Sequence, residues 1–149
     1  MYNFLVFIHS YVRWAIFILA IWALYSAYMG LIRKRDWTEA DRRPGSLFTL
    51  VMSVQLLIGF LVYFYPGGLV LSAFSNISNA MATTQLRFFV AEHLVVMIIA
   101  IAFAHIGTAR AKRAVSAIAK YRQSAIWYTL STITMLLGIP WWRAMFRGL

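Results

Sequence analysis

The chain has 149 residues, 62% of them hydrophobic, a mean hydropathy of +0.73 and a formal charge of +10. It has no cysteine, which excludes disulfides, thiolate metal sites, iron–sulfur ligation and attachment of a prosthetic group through C-x-x-C-H. The positive charge does not point to nucleic acid, because ten of the fourteen cations fall in two short loops between apolar runs.

Four such runs fill the chain: roughly Phe4 to Ile32, Ser46 to Tyr65, Leu86 to Thr108 and Ser124 to Ile139. A bilayer span needs about 20 mostly apolar residues, and these runs are continuous where a membrane strand would alternate over about 10. The expected fold is all-α: one integral-membrane four-helix bundle, a single domain over residues 1–149. The first run outlasts the roughly 7–15-residue apolar core of a signal peptide and lacks a basic lead, so it is expected to be a retained span.

The first run ends at the charged loop from Arg33 to Arg43, and Pro44-Gly45 is a turn signal before the second. The second stops at Tyr65-Pro66-Gly67-Gly68. Residues 69–85 form a loop whose Leu69, Val70, Leu71 and Phe74 sit beside Ser and Asn, the pattern of a short interfacial amphipathic helix. The third run follows, and the Ala-rich basic stretch 109–123 is expected to prolong its helix. The fourth closes at Gly138-Ile-Pro140, followed by Trp141 and Trp142 as interfacial aromatics.

Arg33, Lys34, Arg35, Arg42 and Arg43 lie in one loop, and Arg110, Lys112, Arg113, Lys120 and Arg122 in another. The positive-inside rule makes these loops cytoplasmic and both termini external, with Arg87, Arg143 and Arg147 on the outer side. The basic loops suit anionic lipid headgroups.

Polar groups inside a span are costly and each needs an account. His93 lies on a face that then carries only Ala100, Ala104 and Gly107, all within about 40° of it at about 100° per residue. His9 repeats the pattern with Ala20, Ala23 and Ala27. A histidine above a flat strip of small residues leaves room for a planar macrocycle, and neutral imidazole is a usual axial ligand of haem iron. The same strips equally suit close backbone packing, with each histidine hydrogen-bonded across helices. Counted from the outer helix ends the two histidines are level. Counted from Arg33 and Arg110, His9 is about 10 Å further out.

By that inner count Arg13 and Glu92 are nearly level and could pair. Alternatively Arg13 or Arg87 could serve haem propionates, and Glu92 could carry a proton. His105 is rotated about 120° from His93. It either contacts water or headgroups near the inner surface, or ligates an inner haem with Met29 or Met52. Gln55, Ser131, Thr132 and Thr134 read as interhelical hydrogen-bond donors.

Three segments carry a resemblance: His9-Ser-Tyr-Val-Arg-Trp14, Leu86-Arg-Phe-Phe-Val-Ala-Glu-His93 and Ala104-His-Ile-Gly-Thr-Ala-Arg110, with the ending Leu137-Gly-Ile-Pro-Trp141. Together they resemble small bacterial four-span membrane proteins labelled cytochrome b-like, over nearly the whole chain. The resemblance implies haem b in the bacterial cytoplasmic membrane, with ligands among His9, His93 and His105.

Two readings lead: a b-type cytochrome exchanging electrons with quinone or a larger respiratory or photosynthetic complex, and a cofactor-free accessory subunit of such a complex. A pigment-binding protein is a third reading. The first two describe an electron carrier or a subunit more than a stand-alone enzyme. A transporter is disfavoured, because no broken helix marks the midplane.

Overall fold

In the computed structural model, residues 1–143 are described; Arg147 lies outside them. The described residues form helices and no strands. The long helices are α1 (Tyr2–Arg33) and α2 (Glu39–Tyr63). After them come two short helices, α3 (Leu69–Ala73) and α4 (Ile77–Ala82), joined by a 3₁₀ turn. A third long helix, α5 (Thr84–Arg113), contains a π turn at Phe88–Glu92, and α6 (Ala117–Leu137) follows. Helix α1 packs against α2 and α6, and α5 packs against α2 and α6, so the four long helices form a ring.

Helices α1, α2 and α5 are each long and apolar enough to cross a membrane. Helix α6 contains most of the expected fourth run. It opens with Lys120, Arg122 and Gln123, so its apolar length is shorter than that of the others. Large apolar side chains face outward on all four: Ile18 and Ile21 on α1, Leu57 and Leu61 on α2, Val95 on α5, Ile133 and Leu137 on α6. The interior holds small ones, Ala20, Ala23, Ala100 and Ala104, around Phe48, Met52 and Tyr128. Large outside and small inside is the arrangement for helices solvated by lipid, where close backbone packing replaces the hydrophobic drive to associate.

That interior decides the meaning of the alanine strips. Ala20, Ala23, Ala100 and Ala104 are buried in one cluster with Phe48, Met52 and Tyr128, and beside them Gly30 on α1 lies against the ring of Tyr121 and Gly45 on α2 against Tyr128, so closely that neither could carry a Cβ. Gly107 on α5 also faces Tyr128. Along these buried alanines the strips therefore serve close packing between helices.

Two boundaries differ from expectation. Helix α2 begins before Pro44-Gly45 and runs through it. Thr38 and Asp41 form its capping box, with the Asp41 carboxylate accepting from the Thr38 N–H at 3.1 Å and its hydroxyl at 2.7 Å. Pro44 sits close enough to this end that little of the helical ladder is lost. The basic stretch 109–123 is not one extension of α5, because the helix ends at Arg113. A new one starts behind Ser116, whose Oγ accepts from the Ala119 N–H at 3.2 Å. The loop 69–85 does form short helices, with Val70 and Ala80 buried and Leu71, Phe74 and Ile77 exposed.

Candidate functional site

The half of the bundle nearer the N-terminus, beyond the packed alanines, encloses a cavity of about 180 Å³ lined mostly by apolar groups such as Leu56, Met97, Ile101 and Met135. His9, Arg13 and Gln55 line it from α1 and α2, His93 from α5, and Arg143 from beyond α6.

His9 and His93 meet across this space. Their ring centroids are 6.2 Å apart and their planes cross at 73°. The outer-end count is thus the correct one. The inner charges are not level: His9 precedes Arg33 by 24 residues and His93 precedes Arg110 by 17, so α1 reaches about 10 Å further inward.

The π turn positions His93. The His93 N–H bonds the carbonyl of Phe88, five residues back, instead of the residue four back. Such a turn inserts one residue and rotates everything after it, and π turns are frequent at functional sites. The hydroxyl of Tyr63 on α2 donates to the carbonyl of Val90 inside the turn at 2.6 Å, supporting its backbone from the side. The same spacing explains Glu92. Residues five apart stack on one face of a π turn, and Arg87 Nε donates to Glu92 Oε1 at 2.7 Å. Glu92 therefore pairs with Arg87 and not with Arg13.

The His93 ring is oriented by the end of α6. Its Nδ1 lies 2.7 Å from the carbonyl oxygen of Gly138, which caps that helix. A carbonyl can only accept, so Nδ1 carries the proton and Nε2 presents a lone pair. Gly138 is held close to α5; a Cβ on it would lie 2.6 Å from Met97 Cε and 2.8 Å from Val96 Cγ1. Pro140 has no N–H to continue the helix, and the indole N–H of Trp141 donates to the carbonyl of Leu136 in its place, at 2.8 Å.

His9 is held by its backbone. Gln55 Nε2 donates to the His9 carbonyl at 2.7 Å, the interhelical role expected of it. Gly59, one turn further along α2, faces the His9 ring; a Cβ there would be 3.3 Å from His9 Cε1. The Nδ1 of His9 is buried and has no hydrogen-bond partner among the described residues. Ser131 likewise joins helices, donating to the carbonyl of Ala100 at 2.7 Å, whereas Thr132 bonds within its own helix, to Tyr128.

His105 is elsewhere. It is exposed, and its Nε2 lies 3.0 Å from Ser53 Oγ. Met52 lines the cavity and His105 does not, so the two are not brought together as an inner ligand pair. Arg87 does not line the cavity either, being engaged by Glu92; Arg13 does. Reading the sequence missed Arg143, the Gly138 carbonyl and the π turn. Only Gly138-Ile-Pro140, a helix end with two breakers, could have signalled the carbonyl.

Among the described residues no group of three or more His, Cys, Asp or Glu side chains forms a metal cluster. What the cavity offers is two facing imidazoles, one oriented through its far nitrogen and one with an unengaged buried nitrogen, in apolar walls with cationic residues. No protein-family model, curated protein or solved structure matches the chain.

Proposed function

We propose that the chain is a small b-type cytochrome-like protein that holds one haem between His9 and His93. It would exchange electrons with a membrane quinone or a larger respiratory or photosynthetic complex. The carrying observation is the 6.2 Å separation of the two rings, combined with the Gly138 carbonyl on the far side of His93. One metal bound by two imidazole nitrogens at about 2 Å each puts ring centroids about 6 Å apart. A ligating histidine nearly always donates its other N–H to a carbonyl or carboxylate, which fixes its tautomer.

The donor set fits the group. A macrocycle supplies four ligands of its own, so two imidazoles complete the iron without the larger cluster that a bare metal would need. Bound there, the haem supplies a one-electron couple. The chain's residues do the rest. His9 and His93 would hold the haem iron. Gly138 sets the His93 ring. Leu56, Met97 and Ile101 exclude water, and Arg13 and Arg143 offer positive charge to propionates. The inner haem on His105 is not part of this reading.

The same proposal places four spans in the bacterial cytoplasmic membrane, with α6 as the fourth and both termini outside. It is supported by the outward Ile126, Leu130, Ile133 and Leu137 of α6 and by the ten cations at one end.

The deciding experiment is the visible spectrum of the purified protein with haem quantified by pyridine haemochrome. A reduced b-type spectrum with haem stoichiometric to chain is expected. A colourless protein would replace this reading with a cofactor-free accessory subunit, a reading supported by the packing of Ala20, Ala23, Ala100 and Ala104 with Phe48, Met52 and Tyr128. A long-wavelength band would indicate a bound pigment instead.

A further inference from the structure

A second cleft, of about 250 Å³, opens at the opposite, basic end of the bundle between α2, α5 and α6. Glu39 and Arg42 line it from the first turn of α2, Lys112 from the last turn of α5 and Lys120 from the first turn of α6. The carboxylate of Glu39 is already taken by Arg42, whose Nε donates to it at 2.8 Å. Lys112 and Lys120 have no hydrogen bond or ion pair among the described residues, and Lys120 is half-buried. Three cations against one anion leave this cleft with two unmatched positive charges. Hydroxyls of Thr38, Ser46 and Thr108 line it as well, the last bonded to Tyr128 Oη at 3.0 Å.

We propose that this cleft binds the phosphate group of one anionic phospholipid. Two ammonium groups from different helices, in a cleft that the Ser46 hydroxyl also lines, more than balance the single negative charge of a phosphodiester and offer several donors to its acceptor oxygens. Basic pockets between helices on the inner face are a recurrent headgroup site. This differs from the diffuse attraction of ten loop cations, most of which face water singly.

A lipid suits the cleft better than free phosphate because of what lies beyond it. The α2–α5 seam continues from the cleft toward the bilayer centre. It is bridged by Thr49 Oγ1 to Thr108 Oγ1 at 2.8 Å, and one turn on by Ser53 to His105. Leu50 and Val54 on α2 and Ala102 on α5 are exposed along this stretch. An acyl chain lying there keeps its headgroup over the lysines. Trp37 at the rim is an aromatic of the kind that marks the headgroup level.

The test is native mass spectrometry of the full chain released from phosphatidylcholine nanodiscs that contain a minority of phosphatidylglycerol. Wild type should retain one phosphatidylglycerol per chain. Lys112→Gln with Lys120→Gln should lower that retention about tenfold or more, and Arg113→Gln with Arg122→Gln, which alters the same surface outside the cleft, by less than about twofold. Lys112→Arg with Lys120→Arg should retain the lipid, which separates loss of charge from loss of fold. Equal losses in the two Gln pairs, or no retained lipid in wild type, overturn the site. Displacement of the lipid by millimolar inorganic phosphate would keep the anion site and overturn its assignment to lipid. None of these outcomes depends on whether His9 and His93 hold haem.

Discussion

The imidazole Nδ1 of His93 is 2.7 Å from the carbonyl oxygen of Gly138, 45 residues later in the chain. That carbonyl is available because α6 ends there. The last four carbonyls of a helix have no intrahelical donor. A helix terminus thereby becomes the acceptor that orients a ring on the neighbouring helix.

Removal of either ring should be told apart spectroscopically. His93→Ala is expected to abolish or grossly weaken haem retention. His9→Ala should leave a five-coordinate form that binds carbon monoxide, and His105→Ala should leave the native spectrum, since it lies outside the cavity. A wild-type spectrum in His93→Ala would sink the ligand assignment.

Gly138→Ala tests the orienting carbonyl. The new methyl meets Met97 and Val96, and overpacking of this kind costs about 1–3 kcal/mol. Thermal unfolding in detergent should show that loss. The haem spectrum or midpoint potential should shift as well, because the acceptor on His93 Nδ1 moves. A destabilised protein with unchanged spectrum and potential would leave Gly138 a packing residue only.

The partner of Glu92 can be read from double-mutant cycles. Arg87→Leu and Glu92→Leu should couple by about 0.2–1 kcal/mol, the range of a solvent-accessible pair. Arg13→Leu and Glu92→Leu should add independently. Strong coupling in the second cycle and none in the first would contradict the π-turn geometry.

Topology has a direct test at residues whose side chains make few contacts. Val115 is 98% exposed in the α5–α6 loop, and Ser78 is exposed on α4. In intact cells an impermeant thiol reagent should label Ser78→Cys and spare Val115→Cys. The reverse pattern would invert the bundle.

The long helices were legible as apolar runs because unbroken hydrophobicity of that length has little use outside a bilayer. The start of α2 was also written in the chain, as Thr38-Glu-Ala-Asp41, but the breaker pair Pro44-Gly45 was the louder signal. Helical periodicity correctly placed His9 with Ala20, Ala23 and Ala27 on one buried face. It could not say what fills that face, because Tyr121 and Tyr128 arrive from a helix a hundred residues away. Nor could it settle the depth of His9 against His93. That depends on where each helix stops relative to its neighbours, and charged residues mark a surface only roughly. The π turn carries no residue signature; it shows only in the backbone and in what Arg87, Glu92 and Tyr63 then do.

The junction between α1 and α2 has a consequence for biosynthesis. Asp41 gathers Thr38, Arg35 and Ser26 within 15 residues of itself, so this hairpin can lock soon after its second helix emerges. The cavity has no such early closure: its ring pair and orienting carbonyl join residues 9, 93 and 138. At about 5–20 residues per second, His9 waits several seconds to tens of seconds in a finished hairpin before Gly138 leaves the ribosome. Anything that occupies the cavity must be loaded onto a chain already in the membrane, and a truncation that spares both histidines but removes the end of α6 should insert normally and remain empty.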